Sequence, residues 1–319
     1  MRWFDRLLLL GATIAVIANL LPLGSRLWWT LDLTTHFRVQ YLVATIALLV
    51  LFAVRRKWGI CAVLVAAGAV SATPVVPYLP FGRVTPAAVA AGAPSLKVLT
   101  VNVSFGKFAP RRLLEIVRET DPDVLVVQEL TPHAETVLAD FDTLFPHHRK
   151  FPAEGPYGIG LWSRRELESG ATFALGRLPA IEARVRGPAG VFTVIGVHLS
   201  APTSPRRAAA RKQELIELAA RSAEVTGPLV VAGDFNVTPY SPYFVQWLAD
   251  SGLTDSRRGR TLSVSWPTTN PWLGIPIDHV AVNAGFDILS HRRLPNFESD
   301  HYGVLVELAL RAERNGGQP

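Results

Sequence analysis

The sequence predicts an α/β protein in which two packed β-sheets carry helices on their outer faces, preceded by an N-terminal bundle of about three transmembrane helices. Three observations carry this expectation. The first ninety or so of the 319 residues are largely apolar, whereas the remainder alternates short strand-like and helix-like segments. Charge divides the chain at the same place: the eight Lys/Arg of residues 1–94 against Asp5 and Asp32 account for the whole formal +6, and the 24 Lys/Arg and 24 Asp/Glu of residues 95–319 cancel. Finally, the apolar runs of the second part end repeatedly on a polar residue, as strands do when they deliver side chains to the edge of a sheet.

The anchor, residues 1–80, contains three apolar runs, at about 7–23, 39–54 and 58–79. The first is close to the roughly 20 residues that a helix needs to cross a bilayer. Arg2 and Arg6 before it also suit a cleaved signal peptide, but further apolar segments follow without a small-x-small cleavage site, so retention is expected. Arg55, Arg56 and Lys57 form the tightest basic cluster and are expected in the cytoplasm, with Arg2 and Arg6 on the same side. A third span then delivers the chain outside, giving a multi-pass protein of a bacterial-type cell membrane. Trp28, Trp29 and Tyr78 are expected in the outer interfacial belt. The single cysteine, Cys61, lies within an apolar run, which excludes an intramolecular disulfide and a cysteine zinc site.

Residues 81–95, rich in Pro, Ala and Gly, read as a linker, residues 96–310 as a soluble domain and 311–319 as a tail. Lys97 to Val103 predicts the first strand, Arg111 to Glu119 an amphipathic helix stopped by Asp121-Pro122, and Val124 to Gln128 a second strand. Gly158 to Ser163, Ile181 to Val185, Val191 to Leu199, Ile277 to Val282 and Val304 to Leu310 are further strands. Pro205 opens a helix to about Glu224, with Leu215, Ile216, Leu218 and Ala219 inward. Its Arg206, Arg207, Arg211 and Lys212 are either a solvated face or a surface for anionic phosphates or lipid.

The stretch LVVAGDFNVTP, Leu229 to Pro239, is a buried strand that ends abruptly at Gly233 and carries Asp234 and Asn236 two apart on its terminal loop. Taken alone, G-D-x-N is an Asp/Asn turn bonding its own backbone. Five further stretches accompany it in order: TVNVS with Asn102, VVQEL with Glu129, GVHLSAP with His198, IDHVAV with Asp278, and SDHYGV with Asp300 and His301. Together the six resemble the endonuclease/exonuclease/phosphatase (DNase I-like) superfamily over most of the chain from about Leu96 to Leu310. The resemblance implies a four-layer α/β/β/α sandwich, with residues 96–310 as its catalytic domain and a cleft at one end between the sheets. It also extends to the membrane-anchored bacterial members associated with teicoplanin resistance.

Cleavage of a phosphate ester needs a cation, an oriented water and a route for protons. Glu129, with Asn102 and Asp300, makes a hard ligand set suited to Mg²⁺ or Mn²⁺. His301 is the candidate general base, since imidazole titrates near neutrality, and Asp278 is by resemblance its partner, fixing the tautomer. Asp234 orients the nucleophile or manages the leaving-group proton, while Asn236, Asn102 and His198 donate to the phosphoryl oxygens. His198 alone in an apolar strand reads as a core histidine; its place in GVHLSAP reverses that. Ser104 stands where abasic-site endonucleases carry an acidic residue two positions after the first Asn, which removes one potential ligand.

The expected function is a membrane-anchored, metal-dependent phosphoesterase acting on a phosphate ester or pyrophosphate of a lipid or cell-envelope lipid carrier, on the extracytoplasmic side. An electrically neutral soluble part favours lipid over duplex DNA, whose nonspecific binding rests on Lys and Arg. An extracytoplasmic nuclease is the enzymatic alternative, with Trp266, Trp272 and Arg257, Arg258 and Arg260 as candidate contacts. A catalytically silent membrane-bound binding protein is the non-enzymatic one. No protein partner is expected.

Overall fold

The computed structural model describes residues 3–81 and 95–311; most of the linker and nearly all of the C-terminal tail lie outside the described residues. Helix α1 (Trp3–Leu20) is followed by a short helix α2 (Trp29–Thr34), then α3 (Arg38–Val54) and α4 (Trp58–Val75). The small residues Ala12, Ala15 and Cys61 let α1 approach the other two helices around Phe52 and Leu64, while Leu10, Ile14, Ile17, Val43, Ile46, Val50, Val63 and Val65 face outward. A helix bundle that is apolar on its outside is one that a bilayer can solvate. Three segments are long and apolar enough to cross a membrane: Trp3–Gly24, Trp29–Val54 and Trp58–Tyr78. The second is longer than its apolar run, because helix resumes at Trp29 through Asp32 and His36, two polar residues that are buried.

The domain begins with β1 (Ser95–Asn102), α5 (Pro110–Thr120) and β2 (Val124–Gln128), continues through α6 (Pro132–Val137), α7 (Asp140–Leu144), β3 (His147–Phe151) and β4 (Ile159–Ser163), and completes its first half there. The second half holds β5 (Leu167–Leu175), β6 (Leu178–Gly187), β7 (Gly190–His198), α8 (Pro205–Glu224), β8 (Leu229–Asp234), α9 (Pro242–Ser251), β9 (Thr254–Asp255) and β10 (Asp278–Val282). Strands β11 (Phe286–Arg293) and β12 (Val304–Leu310) then return to the first sheet. The two sheets run β11-β12-β1-β2-β4-β3 and β5-β6-β7-β8-β10-β9. Each contains one parallel pair, β1 with β2 and β7 with β8; a parallel pair needs a crossover, and α5 and α8 supply it.

Val98, Val126, Val194, Val230, Val280 and Val306 belong to the core between the sheets. A second core lies under α5, α6 and α7, with Trp162 and Phe141 in it, and a third under α8 and α9, with Phe235 and Trp247. Helix, sheet, sheet and helix make the expected four layers. Strands β3, β5 and β11 escape the apolar-run criterion because they are marginal strands with exposed faces: β3 reads HHRKF and no residue of it is fully buried. On α8 the inward set is Leu215, Leu218, Ala219 and Ser222, so Ile216, one step off that helical stripe, is 53 % exposed rather than inward. Tyr78, expected in the outer interfacial belt, is buried and meets Tyr240 edge-on, with ring centroids 5.8 Å apart.

Candidate active site

Register brings the site together before any side chain is considered. Across the adjacent strands β7, β8 and β10, His198 pairs with Asp234 and Asp234 with Asp278, so three polar residues end three strands in one row. On the facing sheet Asn102 pairs with Gln128, which puts Glu129 one residue beyond the end of β2. Gly233 is required by close packing: a Cβ there would lie 1.9 Å from the Val197 carbonyl oxygen, at a φ of +151°. Asp300 and His301 come from the turn before β12, where Ser299 Oγ donates to the Asn102 carbonyl at 2.7 Å and accepts the His301 N–H at 3.1 Å.

Seven of the eight residues singled out in the sequence are joined by direct side-chain approaches or by the backbone next to them. Asn102 Nδ2 bridges the sheets, 3.1 Å from Glu129 Oε1 and 3.2 Å from Asp234 Oδ2. Its Oδ1 accepts the Ser104 N–H at 2.9 Å, so Asn102 turns its nitrogen toward the carboxylates. His301 Nδ1 lies 2.9 Å from Asp278 Oδ2, and its Nε2 is 3.8 Å from Asp234 Oδ2. Asn236 adopts a left-handed φ of +51°; its N–H caps Asp234 Oδ1 at 2.8 Å, and its Nδ2 donates to the Leu199 carbonyl at 2.8 Å. Asp300, the eighth, lines the same cleft, of about 410 Å³, and accepts from Trp266 Nε1 at 3.1 Å.

Electrostatics divides the roles. Burial works against ionisation of His301, but the Asp278 carboxylate and its hydrogen bond outweigh it and raise the imidazole to about 10. Asp278, which burial alone would raise, is held below the ordinary carboxylate range by the same contact. Asp234 is pushed up to about 7 by burial and by the neighbouring Asp278 charge. The candidate base His301 thus rests as an imidazolium, and the proton-accepting capacity near neutrality lies with the Asp234–His301 pair rather than with the imidazole alone. His198 Nδ1 donates to the Pro156 carbonyl at 2.9 Å, and burial lowers its pKa. Its Nε2 is then a bare acceptor, 3.6 Å from Asp234 Oδ2 and 3.8 Å from Glu129 Oε1, so its expected donation to a phosphoryl oxygen needs a proton brought to it.

The donor set fits a hard divalent cation. Asp300 Oδ1 is buried and has no hydrogen-bond partner among the described residues, and Glu129, held at φ +61°, is raised by burial against incomplete compensation from His198 and Asn102. Carboxylate oxygens so placed lack a counter-charge, which a cation supplies. Asp234, Asp278 and His301 also bring ligand atoms within 4.8 Å of one another.

Several residues that line or support the cleft are not singled out by sequence. Ser265 Oγ accepts the N–H groups of both Ile277 and Asp278 at 3.0 Å, fixing the start of β10. Phe105 and Tyr157, each about half-exposed, stand at the cleft, as do Leu33 and His36 from the N-terminal helices. A lone serine or tyrosine carries no signal of such a position. Of the candidate nucleic-acid contacts, Trp266 is in the cleft, whereas Arg257 is buried and donates to the Asp278 carbonyl at 2.6 Å. Arg258 and Arg260 line a separate cavity, and Trp272 is 89 % exposed.

A sequence profile of the Endonuclease/Exonuclease/phosphatase family matches residues 99–301. No curated protein sequence matches the chain. Among solved structures, the fold is similar to that of an endonuclease/exonuclease/phosphatase from Beutenbergia cavernae, at 23 % identity and a TM-score of 0.54 over 68 % of this chain and 72 % of that one. It is similar to D. rerio TDP2 complexed with a single-strand DNA product, at 15 % identity and a TM-score of 0.57 over 67 % and 98 % of the two chains. It is also similar to the 3′ phosphatase NExo from Neisseria bound to a product DNA hairpin, at 20 % identity and a TM-score of 0.56 over 66 % and 98 %.

Proposed function

The chain belongs to the endonuclease/exonuclease/phosphatase family, whose members are phosphoesterases, nucleases or phosphatases that typically use metal ions, and on that premise we propose that it hydrolyses a phosphate ester or pyrophosphate carried by a membrane lipid. The observation that carries the lipid reading is the composition of the cleft wall. Leu33 and His36, from the short helical stretch that leads into the second apolar span, line the same cavity as Glu129, His198, Asp234 and His301. Leu178, Leu199, Ile275 and Ile277 add apolar surface to it. A phosphate group at the carboxylates would leave an attached hydrocarbon chain beside the anchor, where burial of each CH₂ contributes about 0.8 kcal/mol.

In this reading water attacks phosphorus, the bond from phosphorus to the leaving oxygen breaks, and one proton passes from the water to the Asp234–His301 pair, which gives one back to the leaving oxygen. Asp278 holds the His301 ring through Nδ1, and Asn236 holds the Asp234 carboxylate through its N–H. Asn102, Asn236 and, once protonated at Nε2, His198 would contact phosphoryl oxygens. Of the expected ligands Glu129, Asn102 and Asp300, the two carboxylates would hold Mg²⁺ or Mn²⁺, since the Asn102 oxygen accepts the Ser104 N–H; the cation when bound supplies charge neutralisation at the phosphoryl group. Three spans with the catalytic domain outside the cell complete the proposal. A polyprenyl pyrophosphate carrier is its narrowest form, drawn from the resemblance to members associated with teicoplanin resistance.

The nuclease alternative draws on the DNA products bound by TDP2 and NExo. A release assay on the purified full-length protein with Mg²⁺, against lipid phosphates, lipid pyrophosphates, nucleotides and DNA, separates the two. Preferential release from a lipid is expected; turnover confined to DNA would overturn the lipid reading and leave the hydrolase intact.

A further inference from the structure

Arg211 is read from sequence as part of a basic helix face, but it is 2 % exposed and points inward from α8. Its guanidinium is forked. One arm, Nη2, donates to Asp32 Oδ2 at 2.5 Å, and the other, Nη1, donates to the carbonyl oxygen of Asn236. Asp32 lies on α2, in the connection between the first two apolar spans, and its second oxygen accepts from Ser241 Oγ at 2.7 Å, so both carboxylate oxygens are satisfied by the domain.

The position of the second arm matters because of what Asn236 does. It is a non-glycine residue in the left-handed region, a conformation that persists only where surrounding contacts over-determine it. Its own N–H and Nδ2 are committed to Asp234 Oδ1 and to the Leu199 carbonyl. Its backbone carbonyl is fixed from outside the row of strand ends, by Arg211. The same helix holds the loop after His198, since Glu214 accepts from both the N–H and Oγ of Ser200, at 2.7 and 2.6 Å. A buried guanidinium needs a counter-charge to stay in place, and here that charge comes from the anchor, 179 residues away in sequence.

We propose that Asp32 of the membrane anchor is a positioning residue for the hydrolytic site, acting through the two arms of Arg211 to hold the Asn236 peptide and, through its N–H, the Asp234 carboxylate. The anchor is then part of the catalytic apparatus as well as a tether. The proposal rests on Asp234 belonging to the site but not on the identity of the substrate.

The test uses the full chain in detergent micelles with Mn²⁺ and a water-soluble probe, bis(4-nitrophenyl) phosphate, so that docking of substrate to a bilayer plays no part. Arg211→Lys keeps the charge opposite Asp32 but loses the fork, and Asp32→Glu keeps the charge but displaces it. Both are expected to lower kcat roughly 10- to 100-fold with KM changed less than about twofold, with melting temperatures close to the parent's. Arg206→Gln, on the exposed side of α8, is expected to match the parent. Hydrogen–deuterium exchange supplies a readout independent of turnover: the Asn236 amide should exchange faster in both charge-conserving variants, while the amides of β8 do not. Folded Arg211→Lys and Asp32→Glu proteins with parental exchange at Asn236 would overturn the proposal, whether or not the probe is cleaved. Absence of turnover in the parent, with the exchange result as expected, would count against the hydrolase reading alone.

Discussion

His301 Nδ1 stands 2.9 Å from Asp278 Oδ2, so that the ring is turned with Nε2 toward Asp234, 3.8 Å away. A ring held at one nitrogen and presented at the other is a proton carrier whose orientation is set before substrate arrives. His301→Ala should lower turnover roughly 10²- to 10⁴-fold with little change in folding. Asp278→Asn should cost a comparable factor, and the double variant should be hardly worse than the worse single one, because the two act as a unit. Multiplicative losses in single-turnover rates would show that they act separately, and an unchanged His301→Ala rate would move the whole proton-accepting role to Asp234.

Ser265 supports that pair from the start of β10, through the Asp278 backbone. Its Oγ is the acceptor for two buried N–H groups, at Ile277 and Asp278. Ser265→Ala leaves both unpaired, and each unsatisfied buried donor costs about 1–3 kcal/mol. A lowered midpoint in denaturant with unaltered slope is the expected result; an unchanged midpoint would mean that water or a shifted backbone replaces the hydroxyl.

Turnover should require a divalent cation, since Asp300 Oδ1 and Glu129 otherwise face an anionic substrate with incomplete compensation. Exhaustive chelation should abolish activity, and Mg²⁺ or Mn²⁺ should restore it. A second readout is thermal: a bound ion stabilises the folded state in proportion to the logarithm of its concentration above Kd. The upward shift in melting temperature with added Mn²⁺ should shrink in Asp300→Asn and in Glu129→Gln. Full activity after chelation excludes the metal-assisted scheme.

The parts of this structure that were legible in the sequence are those written locally. Runs such as LVVAGD and VLVVQ are short, apolar and closed by a polar residue, and they are the central strands β8 and β2 with Asp234 and Glu129 at their ends. Central strands are buried on both faces, so burial and pattern agree. Edge strands such as β3, HHRKF, carry their polar residues outward and present no run at all. Arg211 is misleading for another reason: on a helix with Arg206, Arg207 and Lys212 around it, it has the pattern of a solvated face, and the carboxylate it pairs with in the interior lies far away in the chain. Trp266 stood out in the sequence only as a candidate nucleic-acid contact and Ser265 not at all, because their roles, donation to Asp300 and acceptance from two backbone N–H groups, depend on which loop meets which strand end.

Membrane topology is the last expectation. The connection between the first two spans and the end of the third both pack on the catalytic domain: Asp32 pairs with Arg211, the Pro77 carbonyl accepts from the Gly259 N–H at 2.8 Å, and Tyr78 meets Tyr240. At the opposite end of the bundle Arg55 pairs with Asp5 at 2.9 Å, beside Arg56 and Lys57. Three crossings require such an arrangement, with the first connection and the domain on one side and the chain start and second connection on the other. The basic cluster then decides which side is which, because short loops rich in Lys and Arg stay in the cytoplasm. Reporter fusions after Ser95 should therefore report an extracytoplasmic domain, and fusions within residues 55–57 a cytoplasmic turn. A cytoplasmic signal after Ser95 would place the cleft among nucleotides and nucleic acids instead of the outer leaflet, and would make the nuclease reading the one to pursue.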